Sequence, residues 1–303
     1  MIQFDLRKKK FLRIKIPEIE DLSDSFEKEY LYQNTLLYNT LTGVFILTGN
    51  NCDNLFYYYP INETLVKVCK FKKEHNLGCL LLDQENNRIL IIGGKNTNIC
   101  ESYTFDNKKV KEIPNLNIDR CNASFIISND KIYGFFGFSF KKGKYLFNIE
   151  CINKNKLDKW EIIDLNFEYK KDLLPFHLKN ISTFNYEKSP NKIMIYGGKQ
   201  GRNEAIVDNY YYIYDTVENK FEKMEGLFYN IIKDYKSINI WKMANLIETD
   251  DKKGFFFDKQ KQFLEVPGED KKNENCCAII DSECNIHYLA NNQKYFTVYK
   301  FAK

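Results

Sequence analysis

The sequence predicts an all-β chain built from repeated antiparallel units of about four short strands each. Three observations carry this. Aromatic residues make up 16% of the 303 positions, with 24 Phe and 21 Tyr, a bias that suits pleated, half-buried surfaces. Short apolar runs recur in pairs around turns rich in Asn, Asp, Gly and Ser, which is the signature of hairpins. Glycines that end the second run of a pair return at a fixed step, 44 residues from Gly49 to Gly93 and 44 again from Gly93 to Gly137.

Six copies of the unit succeed one another. The first pairs Thr35–Asn39 with Val44–Gly49 across a turn near Thr42 and Gly43. The second pairs Gly78–Asp83 with Ile89–Gly94 across Glu85–Asn87. The third joins Ala123–Ile127 to Ile132–Gly137, and the fourth joins Ser182–Tyr186 to Ile193–Gly198. A degraded fifth sets Ala244–Glu248 against Phe255–Phe257, and the sixth sets Cys277–Asp281 against Ile286–Ala290. Gly137 and Gly198 lie 61 residues apart, so that interval carries an insertion.

The second half of each unit has its own pattern of a polar loop, an aromatic run, a turn and an apolar run. It is clearest in Asn209–Asp215 followed by Phe221–Met224, and recurs in Ser102–Asp106 with Val110–Ile113 and in Leu146–Glu150 with Trp160–Ile163. A unit of this length matches one blade of a β-propeller, whose four-stranded sheets shield one another's apolar faces around a common axis. The expected blades are approximately 31–75, 76–118, 119–166, 178–226, 240–268 and 275–303 with 1–17, forming a single domain with inserts at 167–180 and 227–241. Ile2–Leu6 and Phe11–Ile16 read as a second half lacking a first, so their pairing with the C-terminal strands would close the ring and remove both sheet edges. Phe4 and Tyr299 both sit in runs that resemble third strands, which is one strand too many for six regular blades and leaves a seventh, partial blade open.

Paired glycines after an apolar strand (Gly93-Gly94 and Gly197-Gly198), an aromatic run, and a bulky aromatic seven positions on (Tyr214 to Phe221) together resemble the kelch repeat. The resemblance covers nearly the whole chain and is sharp in the second and fourth units. The first unit keeps one Gly, the third reads Phe136-Gly137, the last two have lost the pair, and Trp160 alone supplies Trp at the late position. It implies a non-catalytic protein-interaction scaffold, of the kind found in cytoskeletal complexes and ubiquitin-ligase substrate recognition. With no room for a recruitment domain, a subunit or adaptor of a larger assembly is expected. The alternative is an enzyme or small-molecule binder using the central channel, as in kelch-like oxidases or sugar-processing propellers. That would need titratable groups converging at one mouth, and the strand ends offer only Gly, Thr48, Asn50, Lys95 and Lys199.

Charge is nearly balanced, with 45 Lys and Arg against 41 Asp and Glu. The tight basic run Arg7–Lys10 is soon succeeded by the acidic stretch Glu18–Glu29 and reads as an exposed hairpin turn, so nucleic acid is not expected as a partner. No apolar stretch approaches the roughly 18 residues of a membrane span, and Met1–Asp5 lacks the apolar core of a signal peptide. A cytoplasmic location, with a cytoskeletal one as its narrower form, is expected without membrane partners. The nine cysteines then stand as reduced thiols, and the sequons at Asn62, Asn122 and Asn180 are bare. Cys276, Cys277, Cys284 and His287 cluster in sequence, but strand alternation sends Cys276 and Cys277 to opposite faces. His75 and His177 are remote from them. No metal, cofactor or catalytic residue is expected. Gly197–Gly201 lacks the Lys-Ser/Thr that a phosphate-binding loop requires.

Two irregular segments are the candidates for binding another protein. Apolar residues at Leu227, Phe228, Ile231, Ile232, Tyr235 and Ile238 fall at helical spacing ahead of Trp241, where a regular blade needs only a short link. Leu173, Leu174, Pro175 and Phe176 form a second apolar knot, in Glu168–Lys179. Inserts on repeat scaffolds are where binding specificity concentrates, so Leu227, Phe228, Ile231, Ile232, Tyr235, Trp241, Leu174 and Phe176 are the expected partner-binding residues. A weaker apolar stripe runs through Ile19, Leu22, Phe26 and Tyr30.

Overall fold

The computed structural model describes residues 53–59, 64–165, 179–185, 189–199 and 210–225, together with the strands at 2–5, 10–11, 13–15, 36–39, 44–48, 247–248, 253–257, 262–265, 276–280, 286–290 and 295–300. Every regular element among them is a β-strand. They fall into two compact units, Met1–Ile113 with Asn239–Ala244 and Lys271–Lys303, and Pro114–Ile238 with Asn245–Asp270.

Among the described residues the first unit holds three sheets. Strands β4 (Leu36–Asn39), β5 (Val44–Thr48), β6 (Asn54–Tyr59) and β7 (Thr64–Lys70) pair in sequence order, as do β8 (Cys79–Asp83), β9 (Arg88–Gly94), β10 (Thr97–Thr104) and β11 (Lys109–Ile113). The third sheet contains β25 (Cys276–Ile280), β26 (Ile286–Ala290) and β27 (Tyr295–Lys300) and is extended by β1 (Ile2–Asp5), β2 (Lys10–Phe11) and β3 (Arg13–Lys15). β1 runs parallel to β27, with Phe4 opposite Tyr299. The two runs that both resemble third strands therefore lie side by side, and this sheet is mixed and six-stranded where a four-stranded antiparallel one was expected.

In the second unit β12 (Ser124–Ser128), β13 (Lys131–Phe135), β16 (Asn148–Asn153) and β17 (Glu161–Asp164) form one four-stranded antiparallel sheet, and β18 (Lys179–Asn185), β19 (Lys192–Lys199), β20 (Tyr210–Asp215) and β21 (Lys220–Glu225) form another. A separate two-stranded hairpin, β14 (Phe138–Ser139) and β15 (Lys144–Tyr145), interrupts the first of these between its second and third strands. It contributes to the long interval between Gly137 and Gly198. The fifth predicted hairpin is present as β22 (Ile247–Glu248) and β23 (Lys253–Phe257), with β24 (Gln262–Glu265) beside them.

Turn chemistry explains the hairpins. Asn87, Asn129 and Asn219 adopt positive φ of 49°, 52° and 54°, a region Asn tolerates better than other side chains with a Cβ. Asp83 is buried at the end of β8, where it accepts hydrogen bonds from Arg88 Nε (2.9 Å) and Asn86 Nδ2 (2.9 Å) and holds the turn shut. The repeated glycines answer a steric demand. Gly94 has φ 145° and Gly137 has φ 96°, and a Cβ at Gly137 would lie 2.7 Å from the carbonyl oxygen of Cys121. Phe136 takes φ 53° in the place Gly93 occupies (φ 62°) one unit earlier. Its ring is buried and stacks on Phe221 at 6.0 Å, packing that offsets left-handed strain of roughly 1–2 kcal/mol.

Neighbouring sheets bury one another's faces. In the second unit Tyr133, Phe135, Phe136, Ile149 and Cys151 of one sheet meet Ile193, Ile195, Tyr212, Tyr214 and Phe221 of the next. In the first, Leu55 and Phe71 meet Leu80, Ile89, Ile91 and Tyr103. A four-stranded sheet cannot cover both its own faces, so stacking is the source of stability.

Candidate functional site

Buried titratable side chains mark a repeated arrangement in two successive sheets. Glu101, in the third strand β10, is fully buried and reaches back to the segment that leads into β8. Its Oε1 accepts the backbone N–H of Lys72 at 3.0 Å, and its Oε2 accepts that of Lys73 at 3.0 Å and His75 Nε2–H at 3.0 Å. His75 Nδ1 lies 2.8 Å from the carbonyl oxygen of Gly93. Both ring nitrogens of His75 thus face oxygens, the Gly93 carbonyl on one side and the Glu101 carboxylate on the other.

One sheet later the same construction appears with Arg in place of His. Glu150, in the third strand β16, accepts the N–H of Asn117 at 2.7 Å on Oε2 and that of Ile118 at 3.3 Å on Oε1. Arg120 Nη2 donates to Glu150 Oε1 at 2.7 Å and to Asn148 Oδ1 at 2.9 Å, while Nη1 donates to the Phe136 carbonyl at 3.0 Å. Phe136 stands where Gly93 does, so His75 and Arg120 hold equivalent places. Both pairs are 0% exposed, which removes them from contact with any solute. Asn117 Nδ2 also donates to the carbonyl of Trp160 at 2.8 Å, and Trp160 Nε1 donates to the carbonyl of Pro114 at 2.8 Å. Each glutamate thus fastens the incoming chain to the sheet it is about to begin.

The electrostatics derive from these contacts. Burial alone would raise the pKa of Glu101, but the hydrogen bonds from His75 and from the amides of Lys72 and Lys73, with the charge of His75, hold it below the ordinary glutamate value of 4.5. A depressed folded-state pKa gives stability that is fully present above the unfolded value and is lost as pH falls through the folded one. Urea unfolding followed downward from pH 7 is therefore expected to show stability falling below about pH 4.5, and Glu101→Gln to flatten that slope while lowering stability at neutral pH. Parallel pH curves for the two proteins would refute the assignment. Burial pushes the Cys69 thiol up to about 12 and raises that of Cys151, so neither is a nucleophile near neutral pH.

The residues expected from sequence to bind a partner, Leu227, Phe228, Ile231, Ile232, Tyr235, Trp241, Leu174 and Phe176, lie outside the described residues, as do the stripe from Ile19 to Tyr30, His177 and Cys284. Cys276 and Cys277 are successive residues of β25, and His287 lies opposite Ile279. Among the described residues no group of three or more His, Cys, Asp or Glu side chains gathers in a metal-binding cluster. Gly197 and Gly198 lie within β19, paired antiparallel to β18, and so do not form the strand-to-helix loop that cradles phosphate. No described helix is long and apolar enough to cross a membrane.

The two glutamate clamps were not anticipated. A carboxylate amid strand-forming residues reads as solvent-facing in isolation. The signal lies in the repeat: Glu101 and Glu150 each occupy a third strand, and His75 and Arg120 each precede the first run of their unit by the same interval as the other, three residues before Gly78 and Ala123.

No family model and no curated protein matches the chain. Among solved structures, one titled "Structure of YjhT" aligns with a TM-score of 0.48 at 8% identity, covering 66% of this chain and 66% of that one.

Proposed function

We propose that the chain is a non-catalytic protein-interaction scaffold, a six-bladed kelch-like β-propeller serving as a subunit or adaptor in a larger cytosolic or cytoskeletal assembly. The observation that carries this reading is the fate of the most deeply buried ionisable pairs among the described residues. Glu101 with His75, and Glu150 with Arg120, are consumed in fastening backbone to sheet, as suits a rigid frame rather than a reaction centre. Positive-φ glycines in the places of the repeat motif, face-to-face stacking of successive sheets and the pairing of β1 with β27 support a propeller closed by its two ends. Function then rests with segments the repeat does not need, and 227–241 is the foremost of them.

The test is affinity capture with the full chain and with a version lacking 227–241, each read by quantitative mass spectrometry. A stoichiometric protein partner, lost on deletion while the thermal unfolding midpoint holds, is the expected result. Partners retained unchanged would remove that segment from the binding role. Robust turnover in a screen of metals and sugars would overturn the scaffold reading itself.

A further inference from the structure

The hairpin of β14 and β15 is an addition to the regular unit. In the preceding sheet the second strand ends at Gly94 and the third begins at Thr97, whereas here Gly137 is separated from the third strand, which starts only at Asn148. The addition is firmly built. Ser139 Oγ donates to Asp119 Oδ1 at 2.6 Å, the Lys141 N–H donates to Asp119 Oδ2 at 3.2 Å, and the Lys142 N–H donates to Ser139 Oγ at 3.0 Å. Phe138 and Cys121 exchange backbone hydrogen bonds of 3.0 Å, and the Phe138 ring packs edge-on against Phe140 (5.1 Å) and Tyr145 (5.2 Å).

On this base the tip reads Phe140-Lys141-Lys142-Gly143-Lys144. Phe140 is 41% exposed and the three lysines are exposed. Gly143 adopts φ 60°, and among the described residues a Cβ there would meet nothing within 4 Å, so the turn is unobstructed by them. Asp119, at the base of the hairpin, is buried with its oxygens turned to the hairpin's own donors. Among the described residues no carboxylate pairs with the ammonium groups of Lys141, Lys142 or Lys144.

We propose that this tip is a peripheral contact for an anionic lipid bilayer, with Phe140 entering the headgroup layer and Lys141, Lys142 and Lys144 meeting the lipid phosphates and carboxylates. An exposed aromatic ringed by cations on an exposed turn is the arrangement that favours such a surface. A hairpin tip offers no groove to an acidic peptide. Single-stranded nucleic acid needs aromatic platforms along a basic channel, and the five residues of the tip span at most about 18 Å. The overall charge of +4 does not oppose approach to a negative surface. The inference departs from the sequence-level expectation of no membrane partner, which concerned spanning segments, and it does not depend on the propeller reading.

The experiment is sedimentation of the full chain with vesicles of phosphatidylcholine, with and without phosphatidylserine. Partition onto the serine-containing vesicles, weakening as salt rises, is expected. Joint replacement by Lys141→Gln and Lys144→Gln should lower the partition about 25-fold, at roughly fivefold per lysine, with an unchanged unfolding midpoint. F140W should show a blue-shifted emission on the same vesicles. Equal partition onto neutral vesicles, salt-insensitive binding, variants that bind like the parent chain, or displacement from the vesicles by a single-stranded oligonucleotide at lower concentration would each overturn the proposal. The salt titration reads the parent chain alone, so the outcome does not hang on the variants' folding.

Discussion

Glu150→Ala is expected to lower the unfolding free energy by roughly 3–5 kcal/mol, the cost of breaking one side of a buried ion pair. The substitution leaves Arg120 buried without its carboxylate partner, though Asn148 Oδ1 and the Phe136 carbonyl are still among its acceptors, and it strands the amides of Asn117 and Ile118, which Glu150 now accepts. Domains are commonly stable by only about 5–15 kcal/mol, so the loss should appear as reduced soluble yield as well as an earlier urea midpoint. Glu150→Gln should cost less, because an amide oxygen still accepts from the backbone. Arg120→Met combined with Glu150→Gln should cost less than the two single changes added together, since partners in one network are not independent. A loss under about 1 kcal/mol for Glu150→Ala, the scale of a solvent-exposed pair, would show that the clamp is not what holds the strand.

Trp160→Ala should be comparably severe, at about 3–5 kcal/mol for removing a large buried aromatic. The ring is 1% exposed and lies edge-on to Phe125 at 5.9 Å, while its N–H reaches the carbonyl of Pro114 across 46 residues of sequence. Packing and hydrogen bond can be separated. Trp160→Phe keeps most of the apolar contact and removes the donor, for an expected loss of about 1–3 kcal/mol including the unsatisfied carbonyl. Chemical denaturation of both variants reads the difference, and equal losses would mean that the ring's bulk contributes nothing beyond its N–H.

The hairpins were legible because their signals are local. Strand-forming runs flank Asn, Asp and Gly at fixed offsets, and the strands of the second predicted unit, β8 to β11, lie where the alternation of runs and turns put them. The added hairpin was hidden because Phe135–Phe140 is nearly continuous in apolar character, so nothing marks where β13 ends and β14 begins. The doubled third strand was visible as a puzzle in Phe4 and Tyr299, but only the register, with those two residues opposite each other, gives its resolution. The clamps stayed hidden because one residue's environment depends on strands 26 and 30 positions away, a distance at which periodicity carries no information. The basic hairpin tip, Lys141 to Lys144, was overlooked for the same reason as any short charged turn: its significance lies in its exposure and in the buried acid beneath it.

The clamps also bear on the order in which the chain acquires its shape during synthesis. Loops of 26 and 30 residues close at modest entropic cost, so a sheet can lock its entrance as soon as its own third strand has emerged, before any later sheet exists. The pairing of Ile2 with Thr297 behaves oppositely. Strand β1 has no parallel neighbour until β27 has been made, 295 positions after Ile2 in the sequence, so its seating there comes later than the locking of the clamps.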